Sequence, residues 1–489
     1  WLLHRIFAVP AHLRHLPTVP LWPWVWSYLT AKPDSYRCQR FLIPMRDERG
    51  EGIMLHHILR NQGKFTKNSA GKDTMLTELT GTGNVVLATG DDWKRQAPIV
   101  KQAFSLPLPI PAFVSLAKSA IDIVKSTTTV PPVQGMASHV VRWSDLAQRI
   151  ALDGLGIGLI GHNFDAVRTR SSFVEDYKKL MPAVSSPLYV IFPQLERLLP
   201  RPEVRARMDR FVGSLVRLLH AKRDNPGEDA MTFLLNNREL SEVELRDNMV
   251  MLFITGHDTT SGAMASFTYF LAKHPEIQQV CRDEVLRVLG PTTDPTQATL
   301  GSDSLPYLHA CIHETLRMNP PASTTAPRTA NVDVMLDKYL IPAGTPLVCN
   351  VYAMHHSACT WDEPQIFRPE RFLTADGGAE DFNARTMGHA SATAESGEDH
   401  AKAREHAAIA LKLKERWMPF SVGPRKCPAR NFALYEIRTI AAMFLREFEW
   451  TLPKGSIHED EIQNSFFAFS LSLPYDLDIT FRPLKQEGE

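Results

Sequence analysis

One stretch of this chain, residues 241–273, admits few structures. Ser241-Glu-Val-Glu244 has the spacing of a capping box, in which the hydroxyl and the carboxylate each take up a backbone N–H that a helix end leaves open. His274-Pro275 closes the stretch. Read as one helix of about 32 residues, it is about 48 Å long at about 1.5 Å per residue. A helix of that length in a globular protein crosses the whole core. The chain has material for such a core: of 489 residues, 44% are hydrophobic and 22% charged, which excludes a disordered chain. Lys+Arg and Asp+Glu are both 54, so the net charge is zero and no charge excess points to nucleic acid. The 35 prolines and 26 glycines fit neither a collagen-like nor a low-complexity chain.

The remaining segments fall around this helix. Ser304-Leu-Pro306 opens a second helix, with Ser304 placed to cap it and Pro306 suited to its first turn; Pro320-Pro321 ends it. Residues 91–240 read as mostly helical, cut by proline clusters. Residues 1–90 mix short strands and helices, with turns at Gly71 and Gly81-Thr-Gly83. Ile341-Pro-Ala-Gly344-Thr reads as a turn between two strands, 429–448 as a helix, and 460–482 as short strands. Residues 374–412, rich in Ala, Gly, Asp, Glu and His, read as a surface insertion. The fold class is mainly α (α+β): a large helical body with a long central helix and a small β lobe. At about 150 residues per domain the length allows three domains, but few linkers are visible. We read 46–489 as one domain and 1–45 as a Pro-rich arm.

No run of 18 apolar residues survives: Pro17, Pro20 and Pro23 break 15–31, and Pro107, Pro109 and Pro111 break 102–117. Two readings of the N-terminal region stand. It is a soluble arm, or it is the hinge behind a membrane anchor missing from this sequence, with Trp22, Trp24 and Trp26 at the bilayer interface. The six cysteines, at 38, 281, 311, 349, 359 and 427, form no CxxC pair and no zinc spacing, and suit a reducing compartment.

Three motifs carry chemistry. In Phe420-Ser-Val-Gly423-Pro-Arg425-Lys-Cys427, a cysteine stands just ahead of a helix in a loop that Gly423 lets turn tightly. Backbone N–H groups and Arg425 favour an anionic sulfur there, a soft ligand for iron, and Phe420 can screen it from water. The bland alternative is a buried structural cysteine, which we assign to the other five. Glu314-Thr-Leu-Arg317 puts a carboxylate and a guanidinium on one helix face, and Arg371, in Phe367-Arg-Pro-Glu-Arg371-Phe, offers a further partner. Thr255-Gly256-His-Asp258-Thr259-Thr260 places several poor helix formers in the middle of the long helix, which suggests a distortion for function. A plain polar face with hydroxyls bonded back to i−4 carbonyls is the alternative.

Taken in this order, the three segments resemble the cytochrome P-450 family of haem-thiolate monooxygenases, in its eukaryotic microsomal and fungal form, from about residue 50 to the C-terminus. The resemblance implies that Cys427 is the axial ligand of haem b, that Glu314, Arg317 and Arg371 form a structural ion triad, and that Asp258 and Thr259 are the acid–alcohol pair of oxygen activation. It implies that Gly256 makes room for dioxygen. Trp93, in Gly90-Asp-Asp-Trp93, then contacts a haem propionate, as do Arg328, in Ala326-Pro-Arg328, and Arg425. It also implies the triangular helical prism of the family. The chain departs from the family pattern at Ala97, where a basic residue is usual and for which Lys94 or Arg95 could substitute. It departs again at Ala429, at Thr255 and in the 374–412 insertion.

The expected activity is oxygen activation with electrons from an NADPH-dependent reductase, with cytochrome b5 as a second donor, on a hydrophobic or aromatic small molecule of secondary metabolism. The implied setting is the endoplasmic reticulum membrane with the catalytic domain in the cytosol, and a monomer. A reductase-independent isomerase or dehydratase, or a non-catalytic haem sensor, are the rival readings. The substrate wall is expected from residues 75–87, 180–215, 322–325 and 466–471, with Phe466, Phe467 and Phe469. Lys414, Arg416, Lys426, Arg430 and Arg438 are read as a basic face that could steer an acidic reductase.

Overall fold

The computed structural model describes residues 9–49, 55–67, 74–127, 129–133, 136–169, 172–373, 416–467 and 469–484. The turn at Gly71, the 374–412 insertion and Lys414 lie outside them. The principal helices are α1 (Leu21–Leu29), α2 (Gly90–Ala103), α3 (Ile110–Ser126), α4 (Trp143–Leu155), α5 (Ser172–Val184), α6 (Pro202–Asp224), α7 (Glu242–Lys273), α8 (Pro275–Leu289), α9 (Pro306–Met318) and α10 (Arg430–Glu447).

The capping box at the head of α7 forms. Ser241 Oγ accepts from Glu244 N at 3.3 Å, and Ser241 N donates to Glu244 Oε2 at 2.9 Å. The helix then runs 32 residues and is buried along most of its length. His274-Pro275 ends it, but Pro275 also starts α8, since a proline at the first helical position loses no hydrogen bond. The same rule rescues α1, where Pro23 sits in the first turn rather than breaking the segment.

Ser304 does not cap α9. The N-cap is Leu305, and the Ser304 hydroxyl donates to Ala298 O at 3.1 Å. The open N–H groups of Tyr307 and Leu308 go instead to the two carboxylate oxygens of Glu284 on α8, each at 2.8 Å. A cap supplied by a neighbouring helix leaves no local sequence signal.

Among the described residues, the β lobe is in three pieces. Strands β1 (Phe65–Lys67), β4 (Arg328–Ala330) and β7 (Pro346–Leu347) form an antiparallel sheet in the order β1-β4-β7. Strands β2 (Thr129–Val133), β3 (Met136–Arg142), β8 (Phe448–Thr451) and β9 (Asp478–Pro483) form another, ordered β2-β3-β9-β8, and β5 (Val334–Leu336) pairs with β6 (Tyr339–Ile341). The turn at Ile341-Pro-Ala-Gly344 therefore joins β6 to β7, which belong to different sheets.

The main apolar core gathers α3, α4, α8, α9, α10 and the C-terminal half of α7, with Trp143 edge-on to Phe444 at 5.0 Å. The segment read as an N-terminal arm packs on this body. Gln39 Nε2 donates to Tyr352 Oη at 3.0 Å, Tyr28 meets Phe466 at 6.2 Å, and Cys38 and Ile43 are buried against Tyr352 and Ala353. Among the described residues, no helix is long and apolar enough to cross a membrane.

Candidate active site

Cys427 lies between a short 3-10 turn, Gly423–Arg425, and α10. Its backbone N–H donates to Phe420 O at 2.9 Å and closes the loop. Gly423 has φ +76°, and a Cβ there would lie 2.8 Å from Leu59 O, so both the backbone conformation and the space require glycine. Burial pushes the Cys427 thiol above its ordinary value; the Ala429 N–H and the Arg430 charge act in the opposite direction. The cation beside the sulfur is thus Arg430 and not Arg425, because Arg430 is on the first turn of α10 while Arg425 points away to Trp93. Phe420 packs edge-on to Trp417 at 6.3 Å and lies under the Arg430 guanidinium at 5.7 Å.

On the long helix, Thr255, Gly256, Thr259 and Thr260 line the same cavity as Cys427, and Asp258 does not. Thr255 Oγ1 donates to Met251 O at 2.7 Å, Thr259 Oγ1 to Thr255 O at 2.7 Å, and Thr260 Oγ1 to Gly256 O at 2.9 Å. The back-bonded polar face is therefore present in the lining itself. Asp258 is fully buried on another face. Its Oδ2 accepts from Tyr177 Oη of α5 at 2.5 Å, and its Oδ1 lies 3.1 Å from His257 Nε2. Consecutive residues on a helix do not face one direction, so the expected acid–alcohol pair is split between the cavity and the α5 contact. Burial, and then the Asp258 charge, pushes the Tyr177 phenol well above its ordinary value. A Cβ on Gly256 would meet Leu155 Cδ1 at 2.6 Å, so what the missing side chain makes room for is α4.

Arg425 lays its guanidinium 4.4 Å from the centre of the Trp93 ring and donates to Val85 O at 3.2 Å and Ala88 O at 2.5 Å. Burial, and next the charge of Arg328, pushes it down to about 10. Arg328 is buried on β4 and donates to Phe65 O at 3.1 Å. Of the two substitutes for the basic residue missing at Ala97, Lys94 lines the cavity and Arg95 does not. Lys94 is exposed and paired with Asp91 at 2.9 Å, and Arg95 is held by Glu244 at 2.5 Å. The residue that sequence reasoning missed is Lys67, which lines the cavity at the end of β1, directly opposite Arg328. Its only signal is strand register, which the sequence did not reveal.

The ion triad assembles with no solvent access at its centre. Glu314 accepts from Arg317 Nε at 2.7 Å and Nη2 at 2.8 Å, and Arg371 Nε lies 3.4 Å from Glu314 Oε1. The other guanidinium groups are satisfied by carbonyls: His355 and Pro364 for Arg317, and Asp362 and Glu363 for Arg371. The expected basic face forms only in part. Lys426 is exposed, but Arg438 is buried and donates to Leu300 O, and Arg430 is half-buried over Trp417 and Phe420.

The cavity measures about 1760 Å³. That exceeds the roughly 300–1,000 Å³ of a pocket for one small ligand, and leaves space for a prosthetic group and a substrate together. Of the expected wall, residues of 76–87, 322–325 and 469–471 line it, Phe469 among them; Met75, Phe466, Phe467 and the described residues of 180–215 do not.

A model of the family described as cytochrome P450 matches residues 53–477. The chain is 24% identical over 504 residues to the cytochrome P450 monooxygenase xanG of Aspergillus fumigatus, covering 93% of this chain and 85% of that one. It is 26% identical to a 7-deoxyloganic acid hydroxylase of Catharanthus roseus (83% of this chain, 74% of the relative) and 24% identical to cytochrome P450 4F5 of Rattus norvegicus (78% and 71%). The chain belongs to the cytochrome P450 family and is a haem-thiolate monooxygenase.

The residues present fit the haem this family implies. The Nε atoms of Arg328 and Arg425 are buried without a hydrogen-bond partner, and neither guanidinium has a carboxylate within ion-pair distance among the described residues. Arg425 and a soft sulfur donor line one cavity, and Arg328, which is not in its lining, stands opposite the lining residue Lys67 on the neighbouring strand. A flat, dianionic iron chelate answers both the unpaired cations and the sulfur.

Proposed function

We propose that this enzyme holds haem b through the Cys427 thiolate and receives electrons from an NADPH-dependent reductase, with cytochrome b5 as a second donor, to hydroxylate or oxidatively couple a hydrophobic or aromatic small molecule of secondary metabolism. The observation that carries this is the single cavity in which Cys427 and Thr259 both stand. Bound haem supplies the activation of dioxygen and the transfer of one oxygen atom to the substrate.

The chain's own part is to bind, position and move protons. Arg328, Arg425 and Trp93 would hold the carboxylates of the cofactor, and Phe420 and Gly423 shape the loop that would present the sulfur. Cys427 would hold the haem iron as a thiolate, with the Ala429 N–H and Arg430 placed to stabilise its charge. Thr259 keeps a hydroxyl at the cavity wall; because it donates to Thr255 O, its lone pairs are left to accept. Asp258 serves as the proton source behind it and must leave Tyr177 to do so. The triad of Glu314, Arg317 and Arg371 fixes α9 against the segment that precedes the cysteine loop.

Residues 46–489 act as one catalytic domain, and the working form is a monomer at the endoplasmic reticulum membrane, facing the cytosol. Exposed Trp22, Trp26, Leu188, Leu198 and Leu199 support a membrane-facing patch, since tryptophan favours the bilayer interface. The hydroxylase relative supports hydroxylation. The test is turnover of purified protein with reductase and NADPH on compounds that shift its absorption spectrum. Hydroxylated or coupled product only when NADPH and reductase are present supports the reading; product without either would transfer it to the isomerase class.

A further inference from the structure

Lys67 and Arg328 occupy directly opposed positions of the antiparallel β1–β4 pair. Side chains so opposed project from one face, and two like charges there destabilise the sheet unless something neutralises them. No carboxylate pairs with either among the described residues. The acidic residue in the cavity lining is Asp34, and it is already engaged: Arg37 binds one oxygen, and Ser323 Oγ donates to the other at 2.9 Å. Lys67 thus shares the cavity wall with Arg425 and Ala97 and has no anion of its own; of the α2 lysines in the same lining, Lys94 is paired with Asp91 and Lys101 is exposed.

We infer that Lys67 supplies the cation for the cofactor's carboxylates that this chain lacks at Ala97, so that the charge is carried by β1 instead of α2. This rests on the haem reading above. The environment agrees with it. Burial, then Arg328, then Arg425, push the Lys67 ammonium down to about 7, with Cys349 opposing them, which is the condition of a cation waiting for a counter-charge. Placing a carboxylate beside it raises that value again. Cofactor binding then takes up a proton above pH about 7, and the contribution of Lys67 to affinity is greatest below that pH and declines above it.

The experiment is haem transfer from purified holoprotein to an excess of a haem-scavenging apoprotein, followed in the Soret band. It compares the wild type, Lys67→Met, Lys67→Arg, and Lys67→Met combined with Ala97→Arg, each checked for fold by circular dichroism. Lys67→Met should lose haem on the order of ten to a hundred times faster, as expected for a lost charge-assisted contact. Lys67→Arg and the double variant should recover most of the difference. The gap between wild type and Lys67→Met should also narrow as the pH rises above 7; Cys427 is common to both, so its own titration cancels. Equal rates for wild type and Lys67→Met, or a double variant no better than Lys67→Met, would overturn the inference. A wild-type protein that takes up no haem would instead overturn the haem reading itself.

Discussion

Glu314→Gln tests how the triad is built. The substitution keeps the shape of the side chain and removes its charge. In the native protein that charge faces two guanidinium groups: Arg317, whose side chain is 0% exposed, and Arg371, at 6%. The carboxylate also accepts Arg368 N at 2.9 Å. Removing one partner of a buried pair costs about 3–5 kcal/mol, because the remaining charge stays out of water. Arg317 keeps carbonyl acceptors at 2.8 Å from His355 and Pro364, which places the cost toward the lower end, about 3 kcal/mol. The control is Asp478→Asn, whose partner Arg142 is 49% exposed, where the loss should stay below about 1 kcal/mol. Urea unfolding followed by circular dichroism reads both. With a slope on the order of 3 kcal/mol per molar urea, Glu314→Gln should move the midpoint down by about 1 M. A midpoint shift no larger than that of Asp478→Asn would refute the view that the triad is a buried, mutually dependent unit.

Further outcomes follow from the same geometry. Thr259→Ala should lower product formed per NADPH consumed by about tenfold or more while leaving haem content intact, since positioned proton-transfer groups typically contribute about 10²–10⁴-fold; unchanged coupling would remove Thr259 from proton delivery. Gly423→Ala places a methyl group 2.8 Å from Leu59 O at φ +76°, and should reduce haem incorporation measured by the carbon monoxide difference spectrum. Arg95 and the Ser241 N–H hold the Glu244 carboxyl down at about 2, so its contribution to stability is fully present above about pH 4.5 and is lost as the pH falls toward 2. Glu244→Gln should accordingly be less stable than wild type at pH 6, and the difference should shrink below pH 4.5 in acid unfolding curves.

What could be read from the sequence was whatever local chemistry determines. The start of α7 was legible because Ser241 and Glu244 cap within four residues, and its end because proline closes a helix. The cysteine loop was legible because Gly423, Arg425 and Cys427 are close in the chain. Two of the misreadings are long-range. Glu284 replaces Ser304 as the cap of α9 from another helix, and β3 pairs with β9 through His139 opposite Phe481, far along the chain. Arg430 rather than Arg425 faces the sulfur, since only the helix start after the loop decides which cation turns inward. Asp258 and Thr259, adjacent in sequence, have different partners, because consecutive residues on a helix face different ways. Lys67 carried no motif, because its position depends on the register with Arg328.

The central claim is that the sulfur of Cys427 binds the haem iron. Iron-edge X-ray absorption on purified wild type and Cys427→Ala tests it most directly. The account predicts one sulfur bonded to iron in the wild type and none in the variant. A sulfur that persists in Cys427→Ala, or wild-type iron bound by nitrogen and oxygen alone, would contradict it.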